Sequence, residues 1–129
     1  MLRNEAAKWL RQTAKDHPAA RLLVSAEPSR SVFHCQQAAE KACKALLVFH
    51  QVAFRKTHDL TDPGSQCAAA EPGLEPILHK VAELTGCASA FRYPDAPYEP
   101  DAAEAEEALK IAAEFCDAVR LRIGIPPEF

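Results

Sequence analysis

The apolar residues of this chain recur every three to four positions over long stretches, which is the period of an amphipathic α-helix. This spacing predicts helices over about Leu2 to Val24, Ser29 to Val52, Leu74 to Ala88 and Asp101 to Ile123. A short or broken helix is predicted to begin at Thr57. The sequence contains no alternating run of Val, Ile and Thr of strand length, so the predicted fold class is all-α.

Proline and glycine residues mark where the predicted helices should stop or bend. Pro18 lies inside the first helix and is expected to kink or interrupt it. Ser29 or Ser31 is expected to cap the second helix, and Asp62-Pro63-Gly64 is a turn signal that should end the short helix. The stretch from Phe91 to Asp101 has three prolines and is predicted to be an extended surface loop.

The size and composition of the chain favour a single domain, residues 1–129, with antiparallel neighbouring helices joined by short connections. The five cysteines form no Cys-x-x-Cys pair, and an odd number of cysteines fits reduced thiols buried as small apolar side chains. The first residues carry charges and no apolar signal core, and no stretch reaches membrane-spanning length. We therefore expect a cytoplasmic protein that does not enter a membrane.

The net charge of −3 conceals an asymmetry between the two halves of the chain. Residues 1–64 carry 10 Lys and Arg against 6 Asp and Glu, a net +4, whereas residues 65–129 carry 5 against 12, a net −7. Such polarity can attract a phosphate ligand to the first half, or it can bind the halves to each other or to another protomer. No basic patch is large enough to indicate duplex DNA binding.

The second predicted helix gathers its polar residues on one side. Projected as a helix, the run from Phe33 to Phe49 places one polar arc of about 140° opposite a narrow face of alanine and cysteine. The arc contains Gln36, Gln37, Glu40, Lys41 and Lys44. Ammonium and amide groups supply directed donors, so Lys41, Lys44 and Gln37 are candidates to hold a phosphate or a base edge.

An ordinary surface role for the same arc remains open. Glu40 and Lys44 are four residues apart and can form an exposed ion pair, with Gln36 and Lys41 solvated. Three apolar residues lie on the same polar side near the helix ends: Phe33, Leu47 and Val48. They would be exposed in a lone bundle, and an exposed apolar rim around polar groups is typical of an interface such as a two-fold dimer.

The histidines and glycines favour neither a metal site nor a phosphate loop. The five histidines include no His-x-x-x-His or Glu-x-x-His pair, and the four glycines are scattered singly. We therefore predict no metal and no cofactor. His58 follows Arg55 and Lys56, and it is a candidate for phosphate contact or for a capping turn. Arg92 is a candidate to grip an anionic ligand or to pair with an acidic residue of the last helix.

Five stretches of the chain, taken together, resemble the HEPN domain family, in particular its small stand-alone prokaryotic branch. They are "AAKWLRQTAKD" in the first helix, "HCQQAAEKACKALL" in the second, "KTHDL" after it, "RYPD" before the last helix and "AEEALKIAAEF" within it. Their order and spacing agree with the family over roughly residues 6 to 122. The resemblance implies an antiparallel up-and-down bundle of four to five helices that usually forms a homodimer.

The resemblance also implies a set of partners and activities. Small HEPN proteins of this kind are commonly encoded beside a minimal nucleotidyltransferase, with which they form a toxin–antitoxin or nucleotide-handling pair. The family is associated with nucleotide binding and, in many branches, with metal-independent ribonuclease activity. In those branches an Arg precedes a His near the start of a late helix. Two such sites meet across the dimer, where the His acts in proton transfer on the 2′-hydroxyl of RNA.

This chain departs from the ribonuclease pattern. Arg92 begins the corresponding region, yet no histidine follows His79 anywhere in the sequence. We therefore predict a non-catalytic homodimer that binds a nucleotide, a minimal nucleotidyltransferase or both, through Gln37, Glu40, Lys41, Lys44, His58 and Arg92. The alternatives are a ribonuclease toxin that acts on RNA through a non-standard histidine, with His58 as the candidate catalytic residue, and a purely structural interaction scaffold.

Overall fold

A computed structural model describes residues 2–52, 61–90 and 99–125 of the chain, without the side chains of residues 61–63 and 85–90. Every regular element in these ranges is helical, which confirms the predicted all-α class. The elements are α1 (Leu2–Leu23), α2 (Pro28–Phe49), α3 (Thr61–Ala70), a single 3₁₀ turn (Pro72–Leu74), α4 (Glu75–Ala90) and α5 (Ala102–Ile123). None of these helices is both long and apolar enough to cross a membrane.

The long helices run up and down, as contacts at their two ends establish. Near the connection between α1 and α2, the Ser31 hydroxyl donates to the Ala20 carbonyl at 2.6 Å. At the far end of the same pair, the Lys44 ammonium lies over the ring of Trp9. Such contacts require α1 and α2 to be antiparallel. Helix α5 also runs antiparallel to α1, because Arg120 donates to Thr13 while Arg3 lies beside Gly124, so the fold is an up-and-down bundle.

Helix α2 lies at the centre and packs against each of the other four helices. Its packing face is built from small residues that are fully buried: Ala38, Ala39, Ala42, Cys43 and Ala45. Small side chains let neighbouring helix backbones approach closely, and Phe115 of α5 and Leu46 supply the bulk of the filling. The small-residue face predicted for this helix is therefore confirmed.

Pro18 does not interrupt the first helix, which runs unbroken from Leu2 to Leu23. A proline inside a helix removes one backbone hydrogen bond and crowds the preceding turn. Here the helix is held on both sides of the proline, because Leu10 and Ala20 are each buried in the core. Tertiary packing offsets the local cost, and the predicted interruption is wrong.

Two further local predictions differ from the structure. Asp62-Pro63-Gly64 does not end a helix, because all three residues lie within α3. Neither predicted serine caps α2, whose N-terminal flanking residue is Glu27 with no side-chain cap. The helix begins instead at Pro28, and the hydroxyl of Ser31 is used to join α2 to α1. Thr57 lies outside the described residues.

The last helix begins and ends where the sequence predicts. Asp101 caps its N-terminus through a capping box with Glu104, and Gly124 ends it in the left-handed conformation at φ 81°. The core stripes, which are the apolar residues spaced three to four apart in this half of the chain, are buried at Leu74, Ile77, Leu78, Val81 and Leu84 before α5 and at Ala105, Ala108, Ala112, Phe115, Cys116, Val119 and Ile123 within it, whereas Leu109 is half-buried. Most of the predicted proline loop, residues 91–98, lies outside the described residues.

The cap of α5 gives the first prediction. The side chain of Asp101 accepts a hydrogen bond from the Glu104 amide at 2.9 Å. Asp101→Ala leaves that amide without its partner and should lower the free energy of unfolding by about 1 kcal/mol. Urea unfolding measures the change, and Glu106→Ala, an exposed acidic residue one turn further along, is the matched control. Equal stability of the two variants would show that the cap contributes nothing.

Candidate functional site

The polar arc of α2 faces α1, and part of it forms a buried group that we call the inner network: Gln36, Glu40, Lys44 and Trp9. The Lys44 ammonium lies 2.9 Å from one carboxylate oxygen of Glu40, and the Gln36 amide donates to the other oxygen at 3.4 Å. The same ammonium lies 5.4 Å from the centre of the Trp9 ring. The side chains of Glu40 and Lys44 are only 3% and 11% exposed. The charges are therefore satisfied inside the protein.

These contacts correct the surface interpretation of the arc. The predicted pair between Glu40 and Lys44 does form, but it is buried instead of exposed. Gln36, which that interpretation left solvated, is also buried. The reason is that α1 packs against this part of α2 and covers the face on which a lone amphipathic helix would meet water.

A second group on the arc, the outer cluster, reaches the surface: Asp16, His34 and Lys41. The Lys41 ammonium donates to one oxygen of Asp16 at 2.7 Å, and Nδ1 of His34 lies 3.3 Å from the other oxygen. The side chains of Lys41 and His34 remain 26% and 32% exposed, whereas that of Asp16 is 10% exposed. A nearly buried carboxylate thus holds two cationic or potentially cationic groups at the protein surface.

Gln37 joins the two groups, because its amide donates to the side-chain oxygen of Gln36 at 3.0 Å. The structure therefore brings together four of the six predicted ligand-binding residues: Gln37, Glu40, Lys41 and Lys44. His58 and Arg92 lie outside the described residues, and their roles remain predictions. Asp16 and His34 are the members that sequence reasoning missed. Asp16 lies seven residues after Trp9, on the packing side of α1, and this spacing could have indicated that it is buried.

The apolar rim expected beside the arc is only partly present. Leu47 is fully buried, contrary to the expectation that it would be exposed. Phe33 and Val48 are half-buried. The helical projection placed Leu47 correctly on the polar side, but the central position of α2 covers that side as well. The rim therefore does not identify a dimer face.

A second polar site lies between α1 and α5 and was not predicted. The Arg120 guanidinium is buried, donating to the hydroxyl of Thr13 at 3.2 Å and to the carboxylate of Asp117 at 3.1 Å. Both ring nitrogens of His17 are buried nearby without a protein hydrogen-bond partner. Burial lowers the pKa of His17, and the charge of Arg120 acts in the same direction while Asp16 and Asp117 oppose it. His17 is thus favoured as neutral imidazole.

The cysteine thiols offer no reactive nucleophile in the described part of the chain. Cys35, Cys43, Cys67 and Cys116 are free and buried. Burial raises the pKa of the Cys35 and Cys116 thiols to about 12, and the pKa of Cys43 is raised by its hydrogen bond with Cys67 and by burial. Thiolate is the nucleophilic form, so these residues act as packing groups. Among the described residues, no cluster of three His, Cys, Asp or Glu side chains could hold a metal ion.

Comparison with known families identifies the class of protein to which this bundle belongs. Residues 6–122 match the HEPN domain, a range that covers nearly the whole chain. The chain belongs to the HEPN domain family, as its sequence motifs predicted, and its helical architecture agrees. Comparisons with curated proteins and with solved structures find no match.

The inner network gives a prediction about stability. Lys44→Met removes the ammonium that lies 2.9 Å from the buried carboxylate of Glu40, and breaking a buried ion pair costs about 3 kcal/mol or more. Adding Glu40→Gln removes the buried negative charge, so the double variant should recover most of the lost free energy of unfolding. Urea unfolding of the four proteins in this double-mutant cycle measures the coupling. Additive effects would mean that the two charges do not depend on each other.

His17 gives a prediction about pH. Its pKa in the folded state is lowered from 6.5. As the pH falls below 6.5, His17 therefore binds a proton more readily in the unfolded chain than in the folded one. This histidine should therefore contribute a loss of stability as the pH falls below 6.5, and His17→Phe should remove that contribution. Urea unfolding at several pH values measures it, with the exposed His79→Gln as control. Indistinguishable pH profiles for His17→Phe and wild type would contradict it.

Proposed function

We propose that this HEPN-family chain is a binding module and not a ribonuclease. In this proposal it forms a homodimer and binds a nucleotide, a minimal nucleotidyltransferase partner or both, as in a toxin–antitoxin pair. The observation that carries the proposal is the outer cluster, where Lys41 and His34 lie at the surface on a nearly buried Asp16 carboxylate.

The chemistry of the outer cluster suits an anionic ligand. An ammonium group has three donors, and Asp16 accepts from one donor of Lys41 at 2.7 Å. The carboxylate therefore fixes the position of Lys41 while the partly exposed ammonium keeps donors for a phosphate group. Gln37, half-buried beside it, adds an amide. The excess of Lys and Arg in residues 1–64 favours the approach of an anion to this part of the chain.

The buried inner network lies next to the outer cluster on α2 and has a structural role in the proposal. Glu40 and Lys44 satisfy each other in the interior, so their role in the proposal is to hold α2 in register with α1 and to keep Lys41 in place. This changes the expectation for Lys44, because its replacement should destabilise the bundle as well as the site. Lys41 is the better residue for testing ligand binding. His58 and Arg92 stay in the proposal as predicted ligand contacts.

The sequence supports a role without catalysis. The family's ribonuclease site pairs an Arg with a following His in a late helix, and this chain has no histidine after His79. A cysteine nucleophile has little support either, since the pKa values of the Cys35, Cys43 and Cys116 thiols are raised. Two alternatives remain to be tested beside the proposal, namely an RNA-cleaving enzyme that uses His58 and a scaffold without a ligand.

Titration of the purified protein with ATP, followed by calorimetry, tests the nucleotide part of the proposal. Lys41→Met should weaken ATP binding about tenfold, because it removes one charge-assisted hydrogen bond. Lys80→Met, an exposed lysine on α4, is the matched control and should bind ATP as wild type does. Wild-type protein that does not bind ATP, or a Lys41→Met variant that binds it unchanged, would count against the site.

The partner and the alternatives are tested on the same preparation. Co-purification of a tagged copy with a minimal nucleotidyltransferase from the native cells would support the partner part of the proposal. Incubation with structured and unstructured RNA tests the enzyme alternative, and loss of cleavage in His58→Ala would favour it. A protein that neither binds ATP, nor retains a partner, nor cleaves RNA would leave the scaffold interpretation.

A further inference from the structure

His34 contacts Asp16 through only one of its two ring nitrogens. Nδ1 of His34 lies 3.3 Å from one carboxylate oxygen of Asp16, while the ammonium of Lys41 donates to the other oxygen at 2.7 Å. The His34 side chain is 32% exposed. Within the part of the chain that the structure describes, no residue forms a hydrogen bond with Nε2 of His34. Nε2 is therefore the nitrogen of His34 that a ligand can reach.

The contact with Asp16 determines what Nε2 of His34 can do. An ionised carboxylate accepts hydrogen bonds and has no proton to donate, so Nδ1 must carry the proton of this contact. In the neutral imidazole, Nε2 then has a lone pair and no hydrogen. It becomes a donor only when the ring takes up a second proton. Neutral His34 thus presents an acceptor to a ligand, and charged His34 presents a donor at the same place.

An anionic ligand distinguishes between these two states of His34. The oxygens of a phosphate group accept hydrogen bonds, so a lone pair on Nε2 repels them and an N–H group on a charged ring attracts them. The charges of the outer cluster lead to the same result. The negative charge of Asp16 offsets the positive charge of Lys41 while His34 is neutral, so the cluster has a net positive charge only when His34 is charged.

We propose that the outer cluster binds its anionic ligand together with a proton, which passes from the solvent to Nε2 of His34. This inference rests on the anion site of the proposed function and specifies how that site is regulated. Histidine is the side chain that ordinarily changes its charge between about pH 5 and about pH 8, so affinity for the ligand rises as the pH falls through this range. Lys41 contacts the ligand in both states, whereas His34 adds its donor only in the charged state.

Few other charges lie near His34. Asp16 of α1 attracts a proton to the ring, and Lys41 of α2 repels one. Arg30 lies one turn before His34 on α2, and it is paired with Glu27 at 3.2 Å. Both side chains of that pair are more than half exposed, so solvent screens their charges. A bound anion is therefore the group that changes the balance in favour of charged His34.

The sequence neighbours of Asp16 on α1 do not replace His34 in this role. Lys15 is exposed to solvent. The ring nitrogens of His17 are buried, and this histidine lies near Arg120 of α5, whose charge opposes its protonation. The proton that accompanies the ligand is therefore assigned to His34.

Calorimetric titration with ATP in two buffers of different ionisation enthalpy counts the protons that are taken up with the ligand. Wild-type protein at about pH 7.5 should take up more protons per ATP than His34→Gln, whose amide never becomes charged. The phosphates of ATP titrate equally in both experiments, so the difference belongs to His34. The ratio of wild-type affinity to that of His34→Gln should rise about tenfold as the pH falls from about 8 to about 5.5, because one charge-assisted hydrogen bond is gained.

Two further variants complete the test. His34→Lys is charged over the whole range, so it should bind ATP more tightly than wild type at about pH 8, and its affinity relative to His34→Gln should not change with pH. His79→Gln replaces an exposed histidine of α4 and is the matched control, which should keep the pH dependence of wild type. Urea unfolding at each pH checks that every variant is folded.

The outcomes separate this inference from the proposed function. Equal proton uptake by wild type and His34→Gln, or an affinity ratio that is constant with pH, would overturn the proton coupling and leave the anion site intact. Loss of the pH dependence in His79→Gln would also overturn the assignment to His34. Wild-type protein that does not bind ATP at any pH in the series would overturn both the coupling and the anion site.

Discussion

The structure depends on the close approach of four helices to α2. Alanine and cysteine side chains let the surrounding backbones come near this helix, and the surrounding helices then leave almost none of its sides to water. Polar residues on the covered sides of such a helix cannot reach solvent, so they need partners within the protein. The pairing of Lys44 with Glu40 and the amide contact of Gln36 meet this need.

The same constraint divides the polar residues into supporting and accessible groups. Where α1 covers α2 most closely, charge is paired and buried. Nearer the surface, Asp16 holds Lys41 and His34 with part of each side chain exposed. In the site that we propose, this carboxylate would orient the surface donors before a ligand arrives, which would lower the entropy cost of binding. Membership in the HEPN family does not specify a ligand.

The parts of the fold that follow from local chemistry could be predicted from the sequence. The boundaries of α5 depend on an N-cap aspartate and a C-terminal glycine, and the core stripes depend on periodicity alone. The helical state of Asp62-Pro63-Gly64 could not be predicted in this way, because Asp-Pro-Gly is also a common turn sequence. The burial of Gln36 and Leu47 escaped prediction because periodicity gives the angular position of a residue but not the number of helices around it. The contact between Thr13 and Arg120 joins opposite ends of the chain, and no local pattern encodes it.

The short connection between α1 and α2 has a consequence for the order in which the bundle assembles. Closing a short loop costs little entropy, so these two helices form contacts that are local in the sequence. Helix α5 reaches α2 only after the chain has passed through α3 and α4, as the distant contact between Cys116 and the Ala38 carbonyl illustrates. The inner network and the outer cluster therefore form between two helices that are adjacent in the sequence. Helix α5, in contrast, carries the most costly loop closure in the fold.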